Sequence, residues 1–413
     1  MSTTKHATIE QEIKSAPNDR KSTAVWVIIV GIIFIAVNLR SPLTSVGPLV
    51  GFIKDSMQIS NTLAGMITTL PLLAFALFSP IVPRLGQKFG MELIIFASII
   101  ILTIGIIIRS LSGAATLYIG TAVIGLAISV CNVLLPSLIK REFPTKIGLM
   151  TGVYSISMNL LGAAASGISV PIAIHLGFGW QGALGIWGIL SFVSILTWLP
   201  QMKRPNRSTS NVHNKGEISR VNVWSSAIAW QVSLFMGLQS LLFYVLIAWL
   251  PEILKVQGIS SDQSGWLLTI MQLALLPFTF IVPVIAGRMS SQRSLVTITS
   301  GLFLAGTLGL LYGSSNLIVL WVILLGIGGG FAFSLAMMFF SLRTKNSHQA
   351  AELSGMAQSV GYLLAAIGPT LFGYIHDATN SWTIPLTILV GASFLLFLFG
   401  LGAARNCFIG SSK

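Results

Sequence analysis

The sequence predicts an all-α membrane protein: twelve transmembrane helices in two six-helix, pseudo-symmetric bundles. Three observations predict it. Of 413 residues, 54% are hydrophobic and only 8% charged, with a mean hydropathy of +0.85. No soluble domain of this length could clothe its surface with so few charges. Twelve apolar stretches follow one another, each long enough to cross a bilayer core with some tilt. One long polar break, Gln201 to Asn222, rich in Ser, Asn, Pro, Lys and Arg, parts them six and six.

Taken in order, the expected spans are Thr23–Gly51, Asn61–Pro83, Leu93–Arg109, Ala115–Ile139, Ile147–His175 and Trp180–Leu199 in the first half. The second half holds Val223–Leu250, Ser261–Ala286, Ser294–Tyr312, Asn316–Leu342, Ala350–Ile375 and Trp382–Ala404. The domain plan is therefore a tail over 1–22, a bundle over 23–200, a linker over 201–222, a second bundle over 223–404 and a short tail over 405–413. The first 22 residues are polar and mixed in charge, without an early apolar core or small-residue cleavage site. They read as a retained cytoplasmic tail, with the first span as insertion signal.

Charge fixes the orientation. With both termini inside, 20 of the 24 Lys and Arg residues fall on the cytoplasmic side. Only Lys54, Arg109 and Lys255 fall outside, and Arg40 is left within the membrane. Such a split sets topology by the positive-inside rule and accounts for the net charge of +13 without a nucleic-acid partner. The expected location is the cell membrane, multi-pass, as a monomer in the lipid bilayer. Cys131 and Cys407 lie too differently to suggest a bridge. Trp180, Trp249 and Trp382, near outer span ends, read as interfacial anchors.

The halves repeat. Ile81-Val82-Pro83 returns as Ile281-Val282-Pro283, and Ile59-Ser60 with Gly65 as Ile259-Ser260 with Gly265. Gly152 with Leu160-Leu161 matches Gly355 with Leu363-Leu364. Parallel repeats in one register are a mark of transporters.

Within the first span, Arg40 stands about 28 Å of helix from Lys21 and about 21 Å from Lys54. A charge at that depth faces a bundle interior or a wet cavity. Pro42 and Pro48 loosen the helix beyond it. None of the eleven acidic residues sits mid-span, and the five histidines lie in loops or at span ends. Arg40 is thus the expected fixed charge of a pathway, and an anionic substrate would neutralise it through a charge-assisted contact. The alternative is an arginine bonded to carbonyls that pins helices together. Polar and aromatic residues on central spans could complete a site: Asn38 and Thr44, Asn132, Tyr154, Gln239, Phe243, Tyr244, Gln272, Gln358 and Tyr362. At the 200-residue offset Ser240 is the counterpart of Arg40. Gly326, Gly328, Gly329 and Gly330 read as a packing face, since no strand or ribose-binding acid accompanies them. No metal cluster, cofactor motif or nucleophile–His–acid set is present, so no cofactor, metal or enzymatic chemistry is expected.

The chain resembles the major facilitator superfamily over essentially its whole length. Pro83-Arg84-Leu85-Gly86-Gln87-Lys88-Phe89-Gly90-Met91-Glu92 is similar to the signature loop of that family, with Pro83 at its first glycine and Gln87 at its acidic position. The resemblance implies a gating role for Arg84, Lys88 and Gly90, and for Arg288 in the weaker counterpart. Asn38–Leu49 (NLRSPLTSVGPL) and Gly237–Pro251 (GLQSLLFYVLIAWLP) resemble the cyanate/nitroimidazole transporter family. The implied function is secondary or facilitated transport by alternating access of a small anion, cyanate-like or a small carboxylate, or of a small polar organic molecule, docked on Arg40. An exporter of drugs or xenobiotics is the alternative, with a cavity of Tyr154, Met158, Phe243 and Met337 and a structural Arg40. A transporter-like sensor is a lesser one, which nine residues after Ala404 leave little room for.

Overall fold

The computed structural model describes residues 25–59, 61–202 and 222–410. The expected tail over 1–22, and the linker apart from Gln201, Met202 and Asn222, lie outside the described residues. Every regular element among the described residues is helical. Ten helices are long and apolar enough to cross a membrane, and a bent pair makes an eleventh. The remaining position is filled by Ser347–Thr379, 33 residues long and less apolar. The expected order of twelve spans is recovered, so ordinals below follow it.

Several boundaries differ, each for a local reason. The first span runs Val25–Met57 but breaks at residues 39 and 40 and again at 45 and 46. Pro42 has no N–H for the Asn38 carbonyl and Pro48 none for that of Thr44, so each proline frees the carbonyl four residues back. Gly47–Leu49 becomes a single 3-10 turn before Val50–Met57 resumes. The second span ends at Phe78; the chain then bends by 58° into Val82–Phe89. The expected signature loop is therefore largely a short helix. Gly90, at φ +89°, ends it. The sixth span is Gly179–Met202, and the seventh, Ala227–Val256, carries Lys255 in its last turn.

Trp180 and Trp382 are not lipid-facing anchors: both are buried at 5% exposure. Trp382 stacks on His376 with centroids 4.2 Å apart, and Trp249 donates to the Pro369 carbonyl at 2.8 Å. Arg109 does not stand outside either. It lies in the last turn of the third span, Met91–Ser110, and is completely buried.

The two halves close on one another at the end that carries Lys140, Arg141 and Arg343, here called the basic end. The sequence repeat is what meets there, crosswise. Gly148 and Gly152 of the fifth span (Ile147–Ile174) press on Pro283 and Phe280 of the eighth (Ser261–Ala286). Gly355 of the eleventh presses on Ser79 and Pro83 at the second span's bend. Added β-carbons at Gly152 and Gly355 would stand 2.9 Å from the Phe280 oxygen and 2.6 Å from the Ser79 oxygen, so backbone meets backbone. At the opposite end of the same helices, the equivalent glycines Gly65 and Gly265 meet nothing within 4 Å.

At this end a cation crosses between the halves. Lys140, ending the fourth span (Ala114–Glu142), donates to the Ser341 carbonyl at 2.6 Å, to Thr344 Oγ1 at 2.8 Å and to the Thr344 carbonyl. It thereby caps the free carbonyls that end the tenth span, Ile318–Leu342. Arg343 beside it donates to the Ala403 carbonyl at 2.6 Å and to Gln292. Burial lowers its pKa to about 10, which leaves it charged at neutral pH. The chain after Ala404 docks here as well, Ile409 N–H donating to the Arg343 carbonyl at 2.9 Å.

Candidate functional site

Arg40 stands on the break of the first span, with φ −121° and ψ −36°, as the residue before the turn Ser41–Thr44. The break gives its side chain a direction that an unbroken helix would not. Its Nη1 donates to Asn159 Oδ1 of the fifth span. Asn159 is oriented for this, because its own Nδ2 donates to the Ser155 carbonyl at 2.8 Å and turns the oxygen toward the cation. Gly162, one turn on, lets the arginine stem pass: a β-carbon there would lie 3.1 Å from Arg40 Cβ. Thr44 secures the same turn, donating to the Gly162 carbonyl at 2.7 Å.

The guanidinium reaches toward the second half. Its Cζ lies 4.9 Å from the ring centroid of Phe243 and 5.7 Å from that of Phe333, within cation–π range. Among the described residues no carboxylate lies within ion-pair reach of it. A cavity of about 20 Å³, room for one or two waters, is bounded by Arg40 on one side and by Met236, Gln239, Ser240, Phe243 and Tyr244 on the other. Leu275, Phe333 and Tyr362 complete the lining. Ser240, the repeat counterpart of Arg40, lines the same cavity, its Oγ taking a hydrogen bond from Gln239 Nε2 at 2.7 Å.

The expected residues do not all meet at one place. Arg40, Gln239, Phe243, Tyr244 and Tyr362 are brought together around this cavity. Asn132, Tyr154 and Gln358 form a buried polar seam that joins the halves. Tyr154 Oη donates to Asn132 Oδ1 at 3.4 Å, and Gln358 Nε2 to the Asn132 carbonyl at 2.9 Å. Gln272 lines a neighbouring small cavity that shares Phe243 and Leu275. Asn38 turns away from Arg40, its Nδ2 donating to Ser194 Oγ and the Phe34 carbonyl, both at 2.7 Å, and so ties the first span to the sixth. Sequence reasoning missed Asn159, Phe333 and Met236. Asn159 sits four residues after Ser155 in a span already scanned for polar groups; Phe333 offered no polar signal.

The gating residues are placed at the basic end. Arg84, Lys88 and Arg288 are exposed there, Lys88 Nζ lying 5.0 Å from the Phe89 ring. Gln87 Nε2 donates to Glu352 Oε1 of the eleventh span at 3.3 Å.

In sequence, the chain matches the Major Facilitator Superfamily over residues 27–258 and again over 232–405. The chain belongs to the major facilitator superfamily. It is 46% identical to an uncharacterized transporter, YycB, of Bacillus subtilis (strain 168), over 96% of this chain and 98% of that one. It is 42% identical to the 2-nitroimidazole transporter of Escherichia coli (strain K12), over 92% and 96%. The cyanate transport protein CynX of the same organism is 26% identical, over 89% and 96%. Among solved structures, the proton:xylose symporter XylE superposes with a TM-score of 0.74 at 13% identity, covering 94% of this chain and 98% of that one. As a superfamily member the protein is a multi-pass membrane transporter, and the crosswise contacts at its basic end join its two six-helix halves.

Proposed function

We propose that this superfamily member transports small, planar molecules bearing an electron-rich oxygen or nitrogen group, either anions or nitro compounds, and docks that group on Arg40. The observation that carries the reading is a guanidinium deep in the bundle with no carboxylate within reach among the described residues. Its acceptor is a neutral amide, and two aromatic rings flank it. A buried cation so placed gains most from a partner that brings negative charge and takes several of its N–H groups at once. Aromatic faces at 4.9 and 5.7 Å favour a flat partner that can lie along them. Relatives named for 2-nitroimidazole and cyanate fit this class.

Alternating access supplies the mechanism. The basic end is cytoplasmic by the positive-inside rule, so closure there gives a form that receives its substrate from outside. Opening would part Gly148 and Gly152 from the eighth span and Gly355 from the second, while Arg40 stays at the midpoint of both paths. The cavity in this form has room for one or two waters, so a substrate that docks on Arg40 must displace Phe243 or Phe333. A second reading, export of apolar drugs, draws on the aromatic and methionine lining (Met236, Phe243, Tyr244, Phe333 and Tyr362) with Arg40 as a structural pin.

Thermal shift on purified protein separates the two, because a ligand that binds the folded state raises its melting temperature. Cyanate and 2-nitroimidazole should stabilise, and imidazole, which lacks the nitro group, should not. Equal shifts for imidazole and 2-nitroimidazole, or shifts that follow only hydrophobicity, would overturn the proposal in favour of the exporter.

A further inference from the structure

A second arginine lies inside the first half. Arg109 is 0% exposed, in the last turn of the third span, and among the described residues no carboxylate pairs with it. Its Nη1 donates to the Pro42 carbonyl at 2.6 Å, while Nε and Nη2 meet no acceptor among the described residues. Removing a charge from water with so little in return costs stability. What it touches gives the reason for its presence. In an unbroken helix the Pro42 carbonyl would take the N–H of Val46, but that N–H turns to the Leu43 carbonyl at 3.4 Å. The break around Pro48 therefore leaves the Pro42 oxygen without a backbone donor, with Ser45 Oγ at 3.3 Å as its other partner. The guanidinium takes it over.

We propose that Arg109 is a positioning residue for the Arg40 site: its bond to the Pro42 carbonyl fixes the broken turn on which Arg40 stands and so aims the Arg40 guanidinium at the cavity. Pro42 lies two residues beyond Arg40, and other side chains hold the turn Ser41–Thr44 as well. Thr44 grips the Gly162 carbonyl on the fifth span, and Ser41 Oγ donates to the Val37 carbonyl at 2.8 Å. Arg109 braces it from the third. The brace itself depends on close packing. Gly120 of the fourth span lies against the Arg109 backbone, and a β-carbon there would stand 2.6 Å from Arg109 Cα and 2.7 Å from its Cβ. Nothing larger than a hydrogen fits. The inference rests on the reading of Arg40 as the docking cation, and assigns to Arg109 no contact with substrate.

The test is a double-mutant cycle read by the Kd for 2-nitroimidazole. Arg109→Met removes a buried cation that lacks a carboxylate, so the protein should fold with an unchanged or higher melting temperature. Its Kd should nevertheless weaken about tenfold. In an Arg40→Ala background the same change should leave Kd unaltered, because the residue acts through Arg40. Gly120→Ala, which keeps the arginine but displaces its backbone, should reproduce the loss of affinity, and it carries the test if Arg109→Met does not accumulate. Wild-type Kd in a folded Arg109→Met or Gly120→Ala protein would overturn the inference, as would equal losses with and without Arg40. If Arg40→Ala alone leaves Kd unchanged, the docking proposal fails instead, and the two failures are distinct.

Discussion

At the scale of single residues, Arg40 is held by one amide oxygen and two ring faces, and each can be removed separately. Asn159→Leu takes away the acceptor that aims Nη1. The loss of a hydrogen bond to a charged group costs roughly 1.5–3 kcal/mol, so affinity for 2-nitroimidazole should fall about tenfold or more, measurable by titration calorimetry. Phe243→Leu removes the nearer ring and should cost about 0.5–2 kcal/mol of binding. Affinity unaffected by both changes would mean that the surroundings of Arg40 do not shape the site. Much of this was legible in the sequence. A lone arginine just ahead of two prolines in an apolar span announces itself, and Gln239, Phe243, Tyr244 and Tyr362 stand out as polar or aromatic residues on central spans. Asn38 was misdirected because the break rotates it relative to Arg40. Asn159 and Phe333 give no sign of their place because facing Arg40 is a property of how separate helices pack, within the first half for Asn159 and across the halves for Phe333. Arg109 was read as an external charge since it ends its span; only the orphaned Pro42 carbonyl explains why it turns inward.

At the scale of elements, the closed basic end is built from matched pieces of the repeat. Its glycines let the fifth span reach the eighth and the eleventh reach the second at backbone distance. Gly148→Val and Gly355→Val should each prise that end open, because the added side chain meets backbone oxygen or a proline ring that cannot yield. Cysteine labelling of residues in the vestibule from the cytoplasmic side should rise, with little loss of melting temperature. Unchanged labelling would show that these contacts do not set the closed state. Here the sequence was informative about position and silent about use: Gly152 and Gly355 were recognised as equivalent, yet equivalence alone does not say that each meets the other half. The signature segment misled in a different way. The resemblance to the family's signature segment implies a loop, yet Val82–Phe89 is helical, with Pro83 at its start, where proline is tolerated, and Gly90 ending it.

At the scale of the whole molecule, hydropathy and the twofold repeat made the twelve-span architecture legible almost without residual. The exceptions are the bent second span and the less apolar eleventh, whose amides and small polar residues serve the seam between halves rather than lipid. Orientation is tested by native Cys407, half-buried near the docked chain end. It should react with an impermeant thiol reagent in inside-out vesicles and not in intact cells; labelling from outside would reverse the topology. Because, among the described residues, neither a carboxylate nor a histidine lines the Arg40 cavity, the Kd for cyanate should be flat between about pH 6 and pH 9. A marked pH dependence would point to a titrating partner elsewhere. The most direct measurement is the affinity of Arg40→Ala for 2-nitroimidazole, taken with apo-state melting on the same sample. Binding should weaken by about one to two decades while the protein remains folded, and Arg40→Lys should be impaired too, since a point charge cannot reproduce the guanidinium fork. Wild-type affinity in a stably folded Arg40→Ala protein would contradict the docking role outright.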